Sequence, residues 1–293
     1  MVQHNKKSKI LLVDGMALLF RGYYATAYSG NFMRREDGTP TNGVFQFLTY
    51  FINGIQTFDP THVICCWDMG SKTFRTDLFE LYKANRGEPP EELIPQFDLV
   101  REVVDVFDVP SIGLENYEAD DVIGSIAHQY QKDHQIIIQT GDNDMLQLVQ
   151  HNIDVAIMKK GIGNYDVFTE DNFYEKRGLY PHQIVEFKAF TGDSADNYPG
   201  IKGIGEKTAL KLLRTYGSME QIQAAKHELT KGIQKKLDEH IDMFHTCKTL
   251  AEIKCDLPIE CLIEDAEVSF NIPYIQENIE KLGIRQRAIN GLI

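Results

Sequence analysis

Nine carboxylates sit where a divalent cation could be held: Asp14, Asp68, Glu118, Asp120, Asp121, Asp142, Asp144, Asp193 and Asp196. Asp14, Asp68 and Asp142 are each the first acid after an apolar run, in KILLVDG, HVICCWD and QIIIQTGD, and Asp144 follows just beyond. With 43 acidic residues in the chain one such position is commonplace, but three are hard to call accidental. Glu118-Ala119-Asp120-Asp121 opens a helical pattern, with Glu118 and Asp121 on one face and Asp120 off it. Acids in a first helical turn are also favoured by the macrodipole alone. Asp193 and Asp196 stand three apart in GDSADNYPG. Nine converging anions repel strongly without cations, so the set implies metal. Oxygen-only ligands select Mg²⁺ or Mn²⁺ and exclude zinc chemistry, which uses His or Cys. Because Mg²⁺ keeps several waters, the set suggests two or more ions. Two ions about 4 Å apart stabilise the attacking and leaving oxygens of an in-line phosphoryl displacement, and one lowers the pKa of the attacking water.

Two further stretches suit phosphate. Gly200-Ile201-Lys202-Gly203-Ile204-Gly205 runs into a helix beginning near Glu206. Free N–H groups and the helix dipole at such a start both favour an anion. The spacing is not that of a P-loop, because Glu206 intervenes before Lys207-Thr208 and no strand precedes it. Gly-apolar-Gly between helices is instead a helix–hairpin–helix arrangement, which grips a duplex backbone without reading bases. Lys202, Lys207 and Lys211 add charge there. Directly after Asp68, the stretch MGSKTFRTDLFELYKANRGEP carries Lys72, Arg75, Lys83 and Arg86 with Phe74, Phe79 and Tyr82 between them. Cations with interleaved aromatics suit single-stranded nucleic acid, and an amphipathic surface helix has the same pattern. Arg21, Tyr23 and Tyr24 follow Asp14 in a similar place, and Tyr24 is equally suited to a core.

The elements that must position these groups alternate. Strand patterns at Lys9–Gly15, His62–Asp68, Val109–Leu114 and Gln135–Asp142 are separated by helical patterns over Thr41–Phe58, 91–107 and 118–134. Such alternation predicts an α/β fold with a mostly parallel sheet. Sites in open α/β sheets form outside the carboxyl ends of the strands, so Asp14, Asp68 and Asp142 should share one rim. A hairpin follows, from Val155–Met158 through Gly161–Gly163 to Val167–Phe168. Short helices are then expected at 181–190, 206–216, 218–226, 230–239 and 240–253, with another at Tyr274–Leu282. With no low-complexity linker, the sheet half and the helical half should pack together.

The chain of 293 residues carries a net charge of −13, which argues against a nucleic-acid binder unless metal neutralises part of it. Its five cysteines include no CxxC pair, as expected of reduced, mostly packing residues in a cytoplasmic protein. No apolar leader precedes the first strand and no run approaches a membrane span.

LLVDG, CCWD, YKANR, YEADDVIG, TGDNDMLQL and GDSADNYPGIKGIGEKTA, in this order, resemble the bacterial and phage 5′ nuclease family of flap endonucleases and polymerase-associated 5′–3′ exonucleases. The resemblance covers about residues 8–285. It implies a mostly parallel α/β nuclease domain over 1–180 with a helical arch at about 69–92. A smaller helix–three-turn–helix domain and tail would occupy 181–293. It further implies metal-dependent hydrolysis of DNA at 5′ ends, 5′ flaps and single-strand–duplex junctions. Asp14, Asp68, Glu118, Asp120, Asp121, Asp142 and Asp144 would bind or support the metals, and Asp193 and Asp196 would complete a second cluster. Lys83 and Arg86 would contact the scissile phosphate, with Tyr23 stacking a terminal base. Gly203 and Gly205 would hold duplex phosphate, in a turn that can also take K⁺ through its carbonyls, with Lys202, Lys207 and Thr208 beside them. A monomeric, stand-alone enzyme with no membrane partner is expected.

Overall fold

The computed structural model describes residues 8–292 apart from Ser29 and Asn31. The first seven residues, read above for the lack of an apolar leader, lie outside the described residues. In chain order the first half comprises β1 (Lys9–Asp14), α1 (Gly15–Ala27), α2 (Asn42–Phe58), β2 (His62–Cys66), α3 (Phe74–Leu78), α4 (Ile94–Asp105), β3 (Ser111–Ile112), α5 (Ala119–Tyr130), β4 (Gln135–Thr140), β5 (Ile153–Met158) and β6 (Tyr165–Phe168). Then come α6 (Glu170–Arg177), α7 (Gln183–Thr191), α8 (Glu206–Tyr216), α9 (Met219–Ala224), α10 (Lys231–Ala251) and α11 (Ile272–Lys281).

The strands form one six-stranded sheet in the order β3-β2-β1-β4-β5-β6, parallel throughout except for β6, which runs antiparallel to β5. The order reverses between β1 and β4, so the crevice of such a sheet opens at their carboxyl ends. That is where Asp14 and the segment after Thr140 emerge.

Strand alternation divides the core. Ile10 and Leu12 face a cluster built from α5, α7, α8 and α10. Leu11 and Val13 face the opposite cluster, with α1, α2, α4 and α11. Burying an aliphatic side chain of this size is worth about 1.5–3 kcal/mol. The sheet is therefore covered on both faces, and its rim is held from both. The helical half shares the first cluster with the sheet, so the two halves pack together as expected.

Two differences from the expected elements have simple causes. α1 has apolar residues on most of its circumference, which hides its period. The helices expected at 230–239 and 240–253 are both present, running together as α10 across a kink at His240 (φ −129°). The tail does not stay with the helical half: Val268 N–H donates to the Thr61 carbonyl at 2.9 Å, and Ile275, Ile279 and Ile289 join the core around α2.

The segment expected to form a helical arch contains only the five-residue α3, followed by turns through Arg86. Its sequence reads as helical, but hydrogen bonds tie it across the acids instead. Lys83, at φ 54°, donates its backbone N–H to the Asp196 carbonyl at 2.9 Å. Asn85 Nδ2 donates to Ser194 O at 2.8 Å and Asn197 Nδ2 to Leu81 O at 2.7 Å. Among the described residues no helix is long and apolar enough to cross a membrane.

Candidate metal centre and nucleic-acid interface

Asp14 closes β1 and caps α1: its Oδ1 accepts from Ala17 N–H at 3.0 Å and its Oδ2 from the Thr140 hydroxyl at 2.7 Å. The same Thr140 hydroxyl accepts from Asp142 N–H at 3.0 Å, and Asp142 Oδ1 accepts from Asp144 N–H at 2.8 Å. Asp68, two residues past β2, accepts from Ala119 N–H at 2.7 Å and so fixes the start of α5. Asp120 follows on α5. Burial pushes the Asp14 carboxyl up to about 7, and the nearby charges of Asp68 and Asp142 add to the shift. Burial, then Asp142, Asp14 and Glu118, hold Asp120 well above the ordinary carboxylate range. Asp14, Asp68 and Asp142 thus accept from a hydroxyl and backbone N–H groups, and the charges of Asp142 and Asp14 reach Asp120.

A second group lies beside the first. Asp144, Asp193 and Asp196 each bring an oxygen within 4.8 Å of the other two, as no other set of three potential ligands does among the described residues. Asp193 and Asp196 sit on a tight loop closed by paired backbone bonds between Asp193 and Tyr198, at 2.9 and 3.0 Å. Gly192 (φ 72°) and Gly200 (φ 64°) cross at the base of this loop, where a Cβ on Gly192 would lie 2.5 Å from Pro199 C. Only glycine meets both the dihedral and the space. Donors that are all carboxylate oxygen suit a hard divalent ion.

Unlike the first group, this one carries the protein's own cations. Lys188 Nζ pairs with Asp144 Oδ1 and lies 2.7 Å from Asp193 Oδ2. Against the penalty of burial, Asp144 keeps that ammonium more basic than an ordinary lysine. Also against burial, Lys188 holds Asp193 below the usual carboxylate range. Arg86 pairs with Asp196 at 2.6 Å, and Lys83 Nζ with Glu118 at 2.7 Å. Lys83 and Arg86 are thus both paired with acids of the rim.

Several expected roles are corrected by burial. Asp121 is fully buried and accepts from both terminal nitrogens of Arg75, at 2.6 and 2.8 Å, and from Lys254 N–H at 2.9 Å. It also accepts from Glu118 N–H at 3.1 Å. Its oxygens are occupied, so it supports the fold and is no metal ligand. Asp120, the acid off the expected face, joins the rim instead. Arg75 is 2% exposed and also donates to the carbonyls of Leu250 and Glu252, which excludes the expected DNA contact. Tyr82, likewise expected at DNA, is buried; its hydroxyl lies 3.2 Å from Glu118 Oε2 and 3.1 Å from Asp196 Oδ2. Tyr23 is 3% exposed and packs on Phe32, while Tyr24 is 59% exposed. The ring open for stacking is therefore Tyr24, one residue along the helix. Arg21 donates to the Lys159 carbonyl and, among the described residues, pairs with no acid. Lys72 is exposed.

A cavity of about 540 Å³ opens beside the acids, lined by Met16, Phe20, Asp68, Lys83, Arg101 and Glu118 among others. On the helical half, buried Ile201 and Ile204 anchor the turn that presents Lys202, Gly203 (φ 83°), Gly205 and Lys207 to solvent, with Thr208 partly covered. The carbonyl of Gly203 accepts from Lys236 Nζ at 2.7 Å. Sequence reading missed both Lys188 and Lys236. Each sits on a helix far in sequence from its partner or on an unremarkable polar face, and only the chain crossings reveal them.

Comparison with known proteins agrees with this geometry. The family model for the 5′-3′ exonuclease N-terminal resolvase-like domain matches residues 9–178, and that for the C-terminal SAM fold matches residues 179–271. The chain is 51% identical over 259 residues to a 5′-3′ exonuclease of Bacillus subtilis, covering 88% of each protein. It is 38% identical over 279 residues to DNA polymerase I of Bacillus caldotenax, covering 94% of this chain and 31% of that one. The chain therefore spans about a third of the length of such polymerase relatives. Among solved structures, bacteriophage T5 D15 flap endonuclease in a pseudo-enzyme–product complex with DNA and metal ions superposes with a TM-score of 0.68 at 19% identity, over 94% of this chain and 99% of that one. Human GEN1 in complex with Holliday junction DNA gives 0.63 at 15% identity, over 97% and 70%. At these identities the structures speak for the fold.

Proposed function

The chain belongs to the 5′-3′ exonuclease family, an assignment carried by both family models and by the close relative, and from that premise we propose that its acidic rim is a divalent-metal centre hydrolysing DNA at 5′ ends and 5′-flap junctions. The observation that carries this reading is the meeting of Asp144, Asp193 and Asp196 within 4.8 Å beside the strand-end acids. Carboxylates from two distant parts of the chain converge there, three acids around the one bridging ammonium of Lys188.

We assign Asp14, Asp68, Asp120 and Asp142 to a first metal position and Asp144, Asp193 and Asp196 to a second, with Glu118 between Lys83 and the strand-end group. Bound Mg²⁺ or Mn²⁺ would supply an ionised water and neutralise charge on the leaving oxygen. The chain's own part is placement. Thr140 and the backbone N–H groups of Ala17, Ala119 and Asp144 fix the carboxylates. Tyr82 holds Glu118 and Asp196 together from beneath. Lys83 and Arg86, already at the rim, would exchange their carboxylate partners for the scissile phosphate, Arg86 by a bidentate fork.

Duplex would lie on the turn of Lys202, Gly203, Gly205, Lys207 and Thr208, with phosphates on exposed N–H groups and lysines. K⁺ on this turn would use carbonyls other than that of Gly203, which the Lys236 ammonium takes. Exposed Tyr24 and Lys72 border the path of the 5′ strand. A division near residue 180, a monomeric state and a cytoplasmic location complete the reading. The test is one gel with a 5′-labelled flap, a blunt duplex and a single strand, each with Mg²⁺, Mn²⁺ or EDTA. Cleavage near the flap junction with either metal and none in EDTA is expected; no cutting with either metal refutes it.

A further inference from the structure

We propose that Lys188 is the resident counter-ion of the Asp144–Asp193–Asp196 pocket, and that a divalent ion enters this pocket only by displacing its ammonium, so that the strand-end group loads first. The inference rests on the metal reading above and adds an order to it.

The geometry is specific. Lys188 Nζ bridges Asp144 and Asp193, two of the three acids whose oxygens lie within 4.8 Å of one another. The third, Asp196, is held by Arg86 at 2.6 Å. Three carboxylates against two cations leave one net negative charge, so a dication added to the pocket as it stands would reverse its sign. Among the described residues no ion pair joins a basic side chain to Asp14, Asp68, Asp120 or Asp142, although the Lys83 charge acts on Asp120, and there a dication only reduces an excess of negative charge.

Lys188 is also built in rather than adventitious. It lies in the last turn of α7, whose Ala189 and Phe190 are buried, and its own carbonyl accepts from Gly192 N–H at 2.8 Å, directly before Asp193. The lysine and one of its acids therefore share one rigid corner. Its ammonium sits on a flexible four-carbon stem and can leave the pocket while the corner stays. Arg86, on the turn segment over the acids, would leave with substrate; Lys188 does not depend on that segment.

Calorimetric titration of the full chain with Mn²⁺, without DNA, tests this, comparing wild type with Lys188→Met and Lys188→Arg. Wild type should bind one ion tightly and a second at least about tenfold more weakly. Lys188→Met should tighten the weaker event about tenfold and leave the tight one unchanged; Lys188→Arg should restore the inequality. In EDTA, Lys188→Met should melt below wild type, and Mn²⁺ should raise its Tm by more than it raises that of wild type, a rescue that a purely structural role would not give. Where Lys188→Met fails to fold, Lys188→Gln takes its place. A weaker event unchanged or lost in the folded variant overturns the inference. If wild type still cuts a flap with Mg²⁺, the nuclease reading survives that result; wild type that neither binds Mn²⁺ nor cuts overturns both.

Discussion

The two halves of the acidic rim are built on opposite plans. Asp14, Asp68, Asp120 and Asp142 come from the ends of strands and the start of α5, and the partners of Asp14, Asp68 and Asp142 are a hydroxyl and backbone N–H groups. Asp144, Asp193 and Asp196 come from a short 3₁₀ turn and a glycine-pinched loop, and besides backbone N–H groups and the Tyr82 hydroxyl their partners include two cations, Lys188 and Arg86. A sheet buried on both faces can hold uncompensated acids because its backbone cannot relax away from them, and burial then raises their affinity for protons. A loop has no such stiffness, and internal cations hold its acids in place. On the proposed reading, the first plan would take an external cation directly, and the second only in exchange for Lys188.

The sharpest break of this contrast is Asp142→Ala, which removes a strand-end acid with no internal cation to compensate. Cleavage of a 5′ flap should fall by at least about a thousandfold, as expected for loss of a metal position, while duplex binding in a gel-shift assay stays measurable. Next comes Arg75→Ala, which leaves Asp121 charged and fully buried. A loss of about 3–5 kcal/mol in denaturant unfolding is expected, against little loss for a true DNA contact. Lys83→Ala should slow cleavage by about a hundredfold and weaken duplex binding far less; equal losses would make Lys83 a positioning contact only.

The smallest effect is on pH. Asp14, pushed up to about 7, keeps a proton in the folded state that the unfolded chain has lost above its ordinary value near 4. Between these values the native state binds more protons, so this group's contribution to stability falls as pH rises through the window and is flat above it. A divalent ion must expel the same proton. Mn²⁺ affinity should therefore climb as pH rises toward about 7, in titrations at four pH values; affinity independent of pH there would remove Asp14 from the ligands.

Much of the fold and of the strand-end group was legible because each rim acid closes an unbroken apolar run, and such a run has one natural place in a parallel sheet. The second group was legible as a pair, Asp193 and Asp196, and its meeting with Asp144 rested on the family resemblance. What sequence could not reveal is which cations face inward. Arg75 and Tyr82 look like ligand-binding residues on a surface segment, yet both point at buried acids, because the segment lies down on the rim instead of arching over it. Tyr23 and Tyr24 are adjacent on a helix with apolar residues nearly all round, so nothing local decides which is buried. Lys188 reads as the polar face of an ordinary helix until the α7 corner sets it beside Asp144, 44 residues earlier.

The central claim is that divalent metal on this rim cuts a 5′ flap. A single time course tests it: wild type on a 5′-labelled flap duplex in Mg²⁺, then excess EDTA, then Mg²⁺ restored, with Asp142→Ala in parallel. Cleavage that stops in EDTA, resumes with Mg²⁺ and is absent from the variant is the predicted result. Continued turnover in EDTA, or equal turnover by Asp142→Ala, would contradict it.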